Sequence, residues 1–278
     1  MQPLIVSLLI AAAFLHACWN AVLRVGADRL WSITVMSLLS ALVALPFVFA
    51  LPPPDRASWG CIALSATLQI VYCFALVRAY RDAGLAQAYP VARGMAPLLV
   101  TLAGAVLAKE QLGVLAVSGV LLVSLGIFGM ATTRGRADPR SLLAAIAAGV
   151  MIAGYTVSDG IGSRLSGHPS SYAAWMFVCQ GAPMPLLYGL ARGRLRIDPF
   201  APETLKTVAG SLIAMLSYGL VIWALSVSPM GAVSALRETS ILFAALIGAV
   251  VLKEPLSPTR AACCASIAAG AICLGLGR

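Results

Sequence analysis

The chain is built from long stretches that carry no Asp, Glu, Lys or Arg. They run over Met1–Leu23, Leu30–Pro54, Ala57–Val77, Gln111–Thr133, Ser141–Ser158, Leu165–Ala191 and Thr207–Leu236. A helix needs roughly 20 predominantly apolar residues to cross the hydrocarbon core of a bilayer, and several of these stretches are that long. Inside lipid the backbone must satisfy its own hydrogen bonds, so each stretch reads as helix. The chain is 60% hydrophobic and 10% charged, where soluble domains carry roughly a quarter charged residues. The expectation is an all-α, multi-pass membrane protein.

Net charge is +9. The basic residues lie singly or in small groups between apolar segments, as in loops that face anionic headgroups. No nucleic-acid partner is expected; the lipid bilayer is. The first apolar stretch has no basic residues before it and runs on past Trp19, so it reads as a retained helix and not as a cleaved leader. All seven cysteines lie in apolar segments with no C-x-x-C pair, which suits small buried hydrophobes and not a metal site.

Ten apolar segments are expected, at about 3–24, 30–51, 57–77, 84–107, 112–132, 141–162, 170–191, 204–226, 230–252 and 259–277. The sequence also repeats. Residues 88–110 read AYPVARGMAPLLVTLAGAVLAKE and residues 232–254 read AVSALRETSILFAALIGAVVLKE; at an offset of 144 they share nine of 23 positions. Shared residues include Arg93/Arg237, Gly104/Gly248 and Lys109-Glu110/Lys253-Glu254. The offset is about half the chain, so each half holds five helices. Five is odd, so the second half enters the membrane from the opposite side. The fold expected is ten transmembrane helices in a five-plus-five inverted-topology repeat. Residues 1–133 form the first repeat, 134–140 a connecting loop and 141–278 the second. Alternate connections carry 13 and 4 basic residues respectively. The positive-inside rule then places both termini outside the cytoplasm.

Ten helices, the inverted repeat and apolar segments ending in KE resemble the drug/metabolite transporter superfamily, EamA type, over the whole chain. The stretches LHACWN (15–20) and YRDAGL followed by YPVARG-x-x-P (80–97) are similar to one bacterial branch of it. The resemblance implies a transporter of small metabolites in a bacterial cytoplasmic membrane, with a central cavity between the halves. It also implies cytoplasmic termini, against the charge count. Both orientations stay open at this point.

Arg93 lies eight or nine residues into its helix, about 12–14 Å along the axis. Burying Arg mid-span costs at least ~2.5–3.5 kcal/mol, so such a group faces a wet cavity or pairs with a carboxylate. Arg237 is its repeat partner. Two acidic residues lie well inside apolar segments, Asp159 and Glu238. Glu238 is expected to cross to Arg93 and Asp159 to Arg237, either as fixed ion pairs or as proton-coupling groups that a substrate anion releases. Pro90 and Pro97 loosen the helix around Arg93, and Gly94 permits close helix contact. Tyr89 shares a face with Arg93, His16 with Asn20, and Tyr155 with Asp159, each at a spacing of four. Trp19, Gln69, Tyr72 and Tyr218 complete the expected lining. Trp31, Trp59 and Trp175 read as interfacial anchors, and the KE pairs as solvated charges that end the spans.

The function expected is secondary transport, most simply export, of small polar or zwitterionic metabolites such as amino acids and their derivatives, with alternating access. Coupling to protons is one route. Flipping of a lipid-linked substrate and multidrug efflux are the alternatives. An enzyme is disfavoured: the sequence has no H-E-x-x-H, no paired aspartates for a metal-bound pyrophosphate and no Ser/His/Asp set with a nucleophile. No catalytic residue, metal ligand or cofactor is expected, and no ATP-binding loop occurs. A monomer or homodimer is expected.

Overall fold

The computed structural model of the chain describes residues 1–25, 28–81, 85–132, 139–251, 253 and 257–277; at 22–25, 77–81, 85–89, 132, 139–141 and 251 it describes the backbone alone. The described residues form helices and no strand. These are α1 (Pro3–Val25), α2 (Arg29–Ala50), α3 (Trp59–Arg81), α4 (Leu85–Leu107), α5 (Val114–Thr132), α6 (Pro139–Leu165), α7 (Pro169–Gly181), α8 (Met184–Arg192), α9 (Pro202–Val227), α10 (Met230–Arg237), α11 (Ser240–Val251) and α12 (Pro258–Leu276). A short 3-10 turn, Arg56–Ser58, precedes α3. Of the loop expected at 134–140, residues 134–138 lie outside the described residues, and Pro139 already begins α6.

Nine spans among the described residues are long and apolar enough to cross a membrane. The seventh expected segment is covered by α7 and α8, each too short to cross alone. The Asp28 carboxylate accepts from the Trp31 N–H at 3.1 Å to cap α2, and the Ser257 hydroxyl accepts from the Arg260 N–H at 3.3 Å to cap α12. Alternate helix ends fall on two faces. One face carries both chain termini, where the Met1 ammonium donates to the Gly277 carbonyl at 2.6 Å. The other is the arginine-rich face, where α1 ends and α2 begins.

Two of the ten segments are not the single helices the sequence led us to expect. The seventh breaks at Ala182-Pro183, where Pro183 has no N–H to continue the ladder. A Cβ on Gly181 would overlap the Ser37 carbonyl of α2, so the break also brings two backbones together. The ninth breaks at Glu238-Thr239 with no proline or glycine. There Glu238, Thr239, Ile241 and Leu242 donate to carbonyls three residues back, a tightened 3-10 turn.

At the KE pairs the spans end and Lys109 and Lys253 are exposed, as expected, but Glu110 is not. Lys109 and Lys253 both adopt left-handed backbone, φ 53° and 54°. At the first, lysine takes the left-handed position where glycine is usual, and the Glu110 N–H donates to the Gly104 carbonyl six residues back at 3.0 Å, closing the helix end. That turn folds the Glu110 side chain back into the protein, only 9% exposed, instead of leaving it in solvent. Glu254 lies outside the described residues.

The last helix of each repeat, α5 and α12, pack together through small residues. A Cβ on Gly126 would meet Ile267 Cγ1 at 2.7 Å and the Cys263 carbonyl at 2.8 Å. Gly119 meets the Gly270 carbonyl in the same way, and these positions correspond across the repeat. With no hydrophobic force between helices in lipid, such close approach supplies the attraction. Gly126→Leu should therefore destabilise the protein by about 1–3 kcal/mol, the usual penalty of overpacking. Gly60→Leu, where nothing lies within 4 Å, should leave it unchanged. Unfolding in detergent, followed by thermal scan, checks the difference.

Candidate functional site

α10 ends at Arg237, and the 3-10 turn places Glu238 directly after it, wholly buried. α4 brings Arg93 to the same spot from the other repeat. Arg93 Nε lies 2.6 Å from Glu238 Oε2, and Arg237 Nη2 lies 3.7 Å from Glu238 Oε1. One carboxylate thus stands between two guanidinium groups, which are 4% and 2% exposed. Arg93 Nη2 also donates to Ser240 Oγ, the first residue of α11, at 3.1 Å, and lies 3.2 Å from His16 Nε2. Arg237 is less well held. Its buried Nε and Nη2 have no hydrogen-bond partner among the described residues. Its guanidinium carbon sits 6.0 Å from the Tyr155 ring centroid.

Beside these groups lies a cavity of about 180 Å³. His16, Trp19, Asn20, Gln69, Tyr72, Arg93, Tyr155, Tyr218 and Arg237 all line it. Of the lining residues expected from sequence, the Tyr89 side chain lies outside the described residues. The lining comes from those halves of α1 to α4 and α7 that are nearer the arginine-rich face, together with the middles of α6 and α9. Toward the termini face the space is filled by buried apolar side chains, among them Leu9, Val100, Leu225, Met230, Val233 and Leu236.

The polar lining is tied down. The Trp19 indole donates to His16 Nδ1 at 3.3 Å, and the Asn20 amide donates to the His16 carbonyl at 2.8 Å. A neutral imidazole has one acceptor nitrogen, so His16 satisfies only one of Trp19 and Arg93 at a time. The Gln69 amide donates to Ser65 Oγ at 3.0 Å. Tyr72, Tyr155 and Tyr218 form a chain of edge-to-face ring contacts across the cavity, each 6.2 Å between centroids.

Asp159 does not pair with Arg237 as the sequence led us to expect. Its carboxylate is buried and accepts from the Tyr172 hydroxyl at 2.9 Å and from the Tyr218 hydroxyl. The reason is geometric: the turn after α10 gives Arg237 its own chain neighbour, Glu238, while α7 and α9 bring two phenols to α6. Tyr218 also lines the cavity, so it is the link between Asp159 and the cavity. Pro90 and Pro97 lie inside an uninterrupted α4. Gly94 seats α4 against α5, where a Cβ would stand 3.1 Å from Phe128 and 3.2 Å from the Ser124 carbonyl.

Sequence reasoning missed the contribution of α2 and α7. Ser37, Ser40, Phe177 and Gln180 also line the cavity, and the Gln180 amide donates to Ser37 Oγ at 3.1 Å. A glutamine and two serines within apolar spans were the available signal, and it is weak because serine is common in such helices. Removing Glu238 would leave two buried cations without a counter-charge. Glu238→Gln should cost about 3–5 kcal/mol of stability, the usual penalty for breaking a buried pair. Exchanging Arg93 and Glu238 together for methionine should cost less. Unfolding of both variants in detergent measures this.

Comparison with known proteins agrees with the geometry. The model of the EamA-like transporter family matches the chain twice, over residues 3–132 and 139–276. None of the curated proteins matches this sequence. A solved crystal structure superposes with a TM-score of 0.74 at 21% identity, over 97% of this chain and 94% of that one, which shows the fold alone. With both halves matched, this chain belongs to the EamA-like transporter family of the drug/metabolite transporter superfamily and is a multi-pass membrane transporter.

Proposed function

We propose that the protein is a secondary exporter of small zwitterionic metabolites, amino acids or compounds derived from them, bound in the cavity beside Arg237. The observation that carries this is a buried guanidinium that borders the cavity, whose Nε has no hydrogen-bond partner among the described residues and whose Nη2 meets Glu238 only at 3.7 Å. Guanidinium is matched to carboxylate in shape and charge. A ligand carboxylate would take those donors, and the tyrosine faces would receive a cationic or apolar part. Arg93, already held by Glu238 and Ser240, positions the shared carboxylate and completes the charge balance. With the arginine-rich face in the cytoplasm, as the positive-inside rule has it, the cavity lies on the side from which an exporter loads.

The same geometry separates the two carboxylates by role. Glu238 is fixed between arginines and serves structure. Asp159 has hydroxyl partners and reaches the cavity through Tyr218, which makes it the better candidate for carrying a coupled proton.

A second reading rests on one observation. An apolar groove of about 490 Å³ runs on the outer surface between α2, α7 and α9, and shares Phe177 and Met215 with the central cavity. Two side chains therefore border both spaces, which suits a substrate with a lipid tail.

In reconstituted protein, a zwitterionic amino-acid ligand should raise the unfolding temperature and support counterflow, whereas its decarboxylated amine should do neither. Arg237→Gln should weaken binding by about 10–100-fold, as expected for a lost charged hydrogen bond. Counterflow of lipid-linked compounds alone would replace this reading with the second. For coupling, Asp159→Asn should abolish accumulation driven by a pH gradient and leave counterflow intact. Gradient-driven accumulation at the normal rate in that variant would remove Asp159 from the proton path.

A further inference from the structure

The repeated G-A-V-x-x-K-E signature has a geometric meaning at the end of α4. Lys109 turns the chain in left-handed backbone, and Glu110 folds back over Gly104. A Cβ on Gly104 would stand 2.6 Å from Glu110 Oε2, so only glycine leaves the carboxylate its place. From there Glu110 accepts from the Met230 N–H, the first residue of α10, at 2.9 and 3.1 Å. An acidic group at a helix N-terminus satisfies a donor that has no partner within the helix and meets the positive end of the helix dipole. Glu110 Oε1 also receives Arg164 Nη2, from the end of α6, at 2.5 Å. Arg164 in turn donates through Nη2 to the Ser228 carbonyl at 2.7 Å and through Nε to the Leu225 carbonyl at 3.0 Å, at the end of α9. One glutamate of the first repeat therefore ties together three helix ends of the second.

This cluster sits on the termini face, with the packed apolar layer of Leu225, Met230 and Val233 beneath it and the cavity beyond. α10 joins the two regions. Its N-terminal residue is held by Glu110, and its last residue is Arg237 of the cavity wall, about 10 Å away along the axis. All eight of its residues are buried, so it moves as one body or not at all.

We infer that Glu110 and Arg164 form the gate of the termini face: their contact with the start of α10 holds that face shut while the cavity is accessible from the other, and it must part for the cavity to open through the termini face. This rests on the transport function of the family and not on the identity of the substrate. The residues are positioning groups, remote from the bound molecule.

The test needs no substrate. Cys73 lines the cavity and serves as its reporter. In proteoliposomes of defined sidedness, a charged, membrane-impermeant methanethiosulfonate is applied from the termini face, and modification of the Cys73 peptide is followed by mass spectrometry. Glu110→Gln should raise the rate at least tenfold over the wild type. Arg164→Lys keeps the cation but loses the fork that holds two carbonyls, and should give an intermediate rate. Labelling from the termini face at the wild-type rate in a folded Glu110→Gln protein would overturn the gate. If Glu110→Gln does not fold, Arg164→Lys decides in its place: a rate above wild type supports the gate, and an equal rate overturns it. Failure of the zwitterion reading would leave these rates unchanged, so the two outcomes are distinguishable.

Discussion

A single carboxylate, Glu238, holds the centre of this protein by standing between Arg93 and Arg237. An arginine deep in a bilayer is tolerated only where a counter-charge or water meets it, and here the two arginines come from different repeats. The contact therefore joins the halves at mid-membrane. The ninth span breaks at this same point, in the 3-10 turn at Glu238-Thr239 that directly follows Arg237. The charge balance of the trio is +1.

The repeat is symmetric in scaffold and asymmetric in charge. At the offset of 144, Gly94 stands where Glu238 stands in the second half. Gly94 has no side chain and lets α4 press on Phe128 of α5; Glu238 supplies the carboxylate for both arginines. Two glutamates at this pair of positions would neutralise both guanidiniums and leave no charge for a ligand, and two glycines would leave both arginines uncompensated in lipid. One of each gives both arginines a shared counter-charge and leaves the trio with a net charge of +1.

Much of this was legible in the sequence. The charge-free runs give the crossings, because lipid accepts only helices there, and the offset copy of R…GAV..KE gives the inverted repeat. The pairing of Arg93 with Glu238 followed from a shortage: few acidic groups lie inside the spans. The rest required packing. Nothing local marks Glu238-Thr239 as a break, since neither Pro nor Gly stands there. Asp159 was expected to seek a cation, but two phenols from α7 and α9 reach it first, and no spacing within α6 reveals them. The KE pairs do end their helices, but the inward turn of Glu110 escaped the sequence because lysine in left-handed backbone is invisible to pattern reading. Only the bond from Glu110 back to Gly104 shows that the side chain turns inward.

The two ends of α10 connect these findings. A rod of two turns carries a capped N-terminus at one end and the arginine of the cavity at the other. In the proposed reading a ligand anion on Arg237 would compete with Glu238 for the same charge, at the end of a helix whose start is held by the Glu110 carboxylate. Coupling between distant sites needs an element with two arrangements that both sites bias. A short, fully buried helix, hinged at one end by a 3-10 turn and clasped at the other by a separable ion pair, meets that requirement with few parts. The helix spans the separation of about 10 Å as one buried rod, which makes it the covalent connection between the two ends.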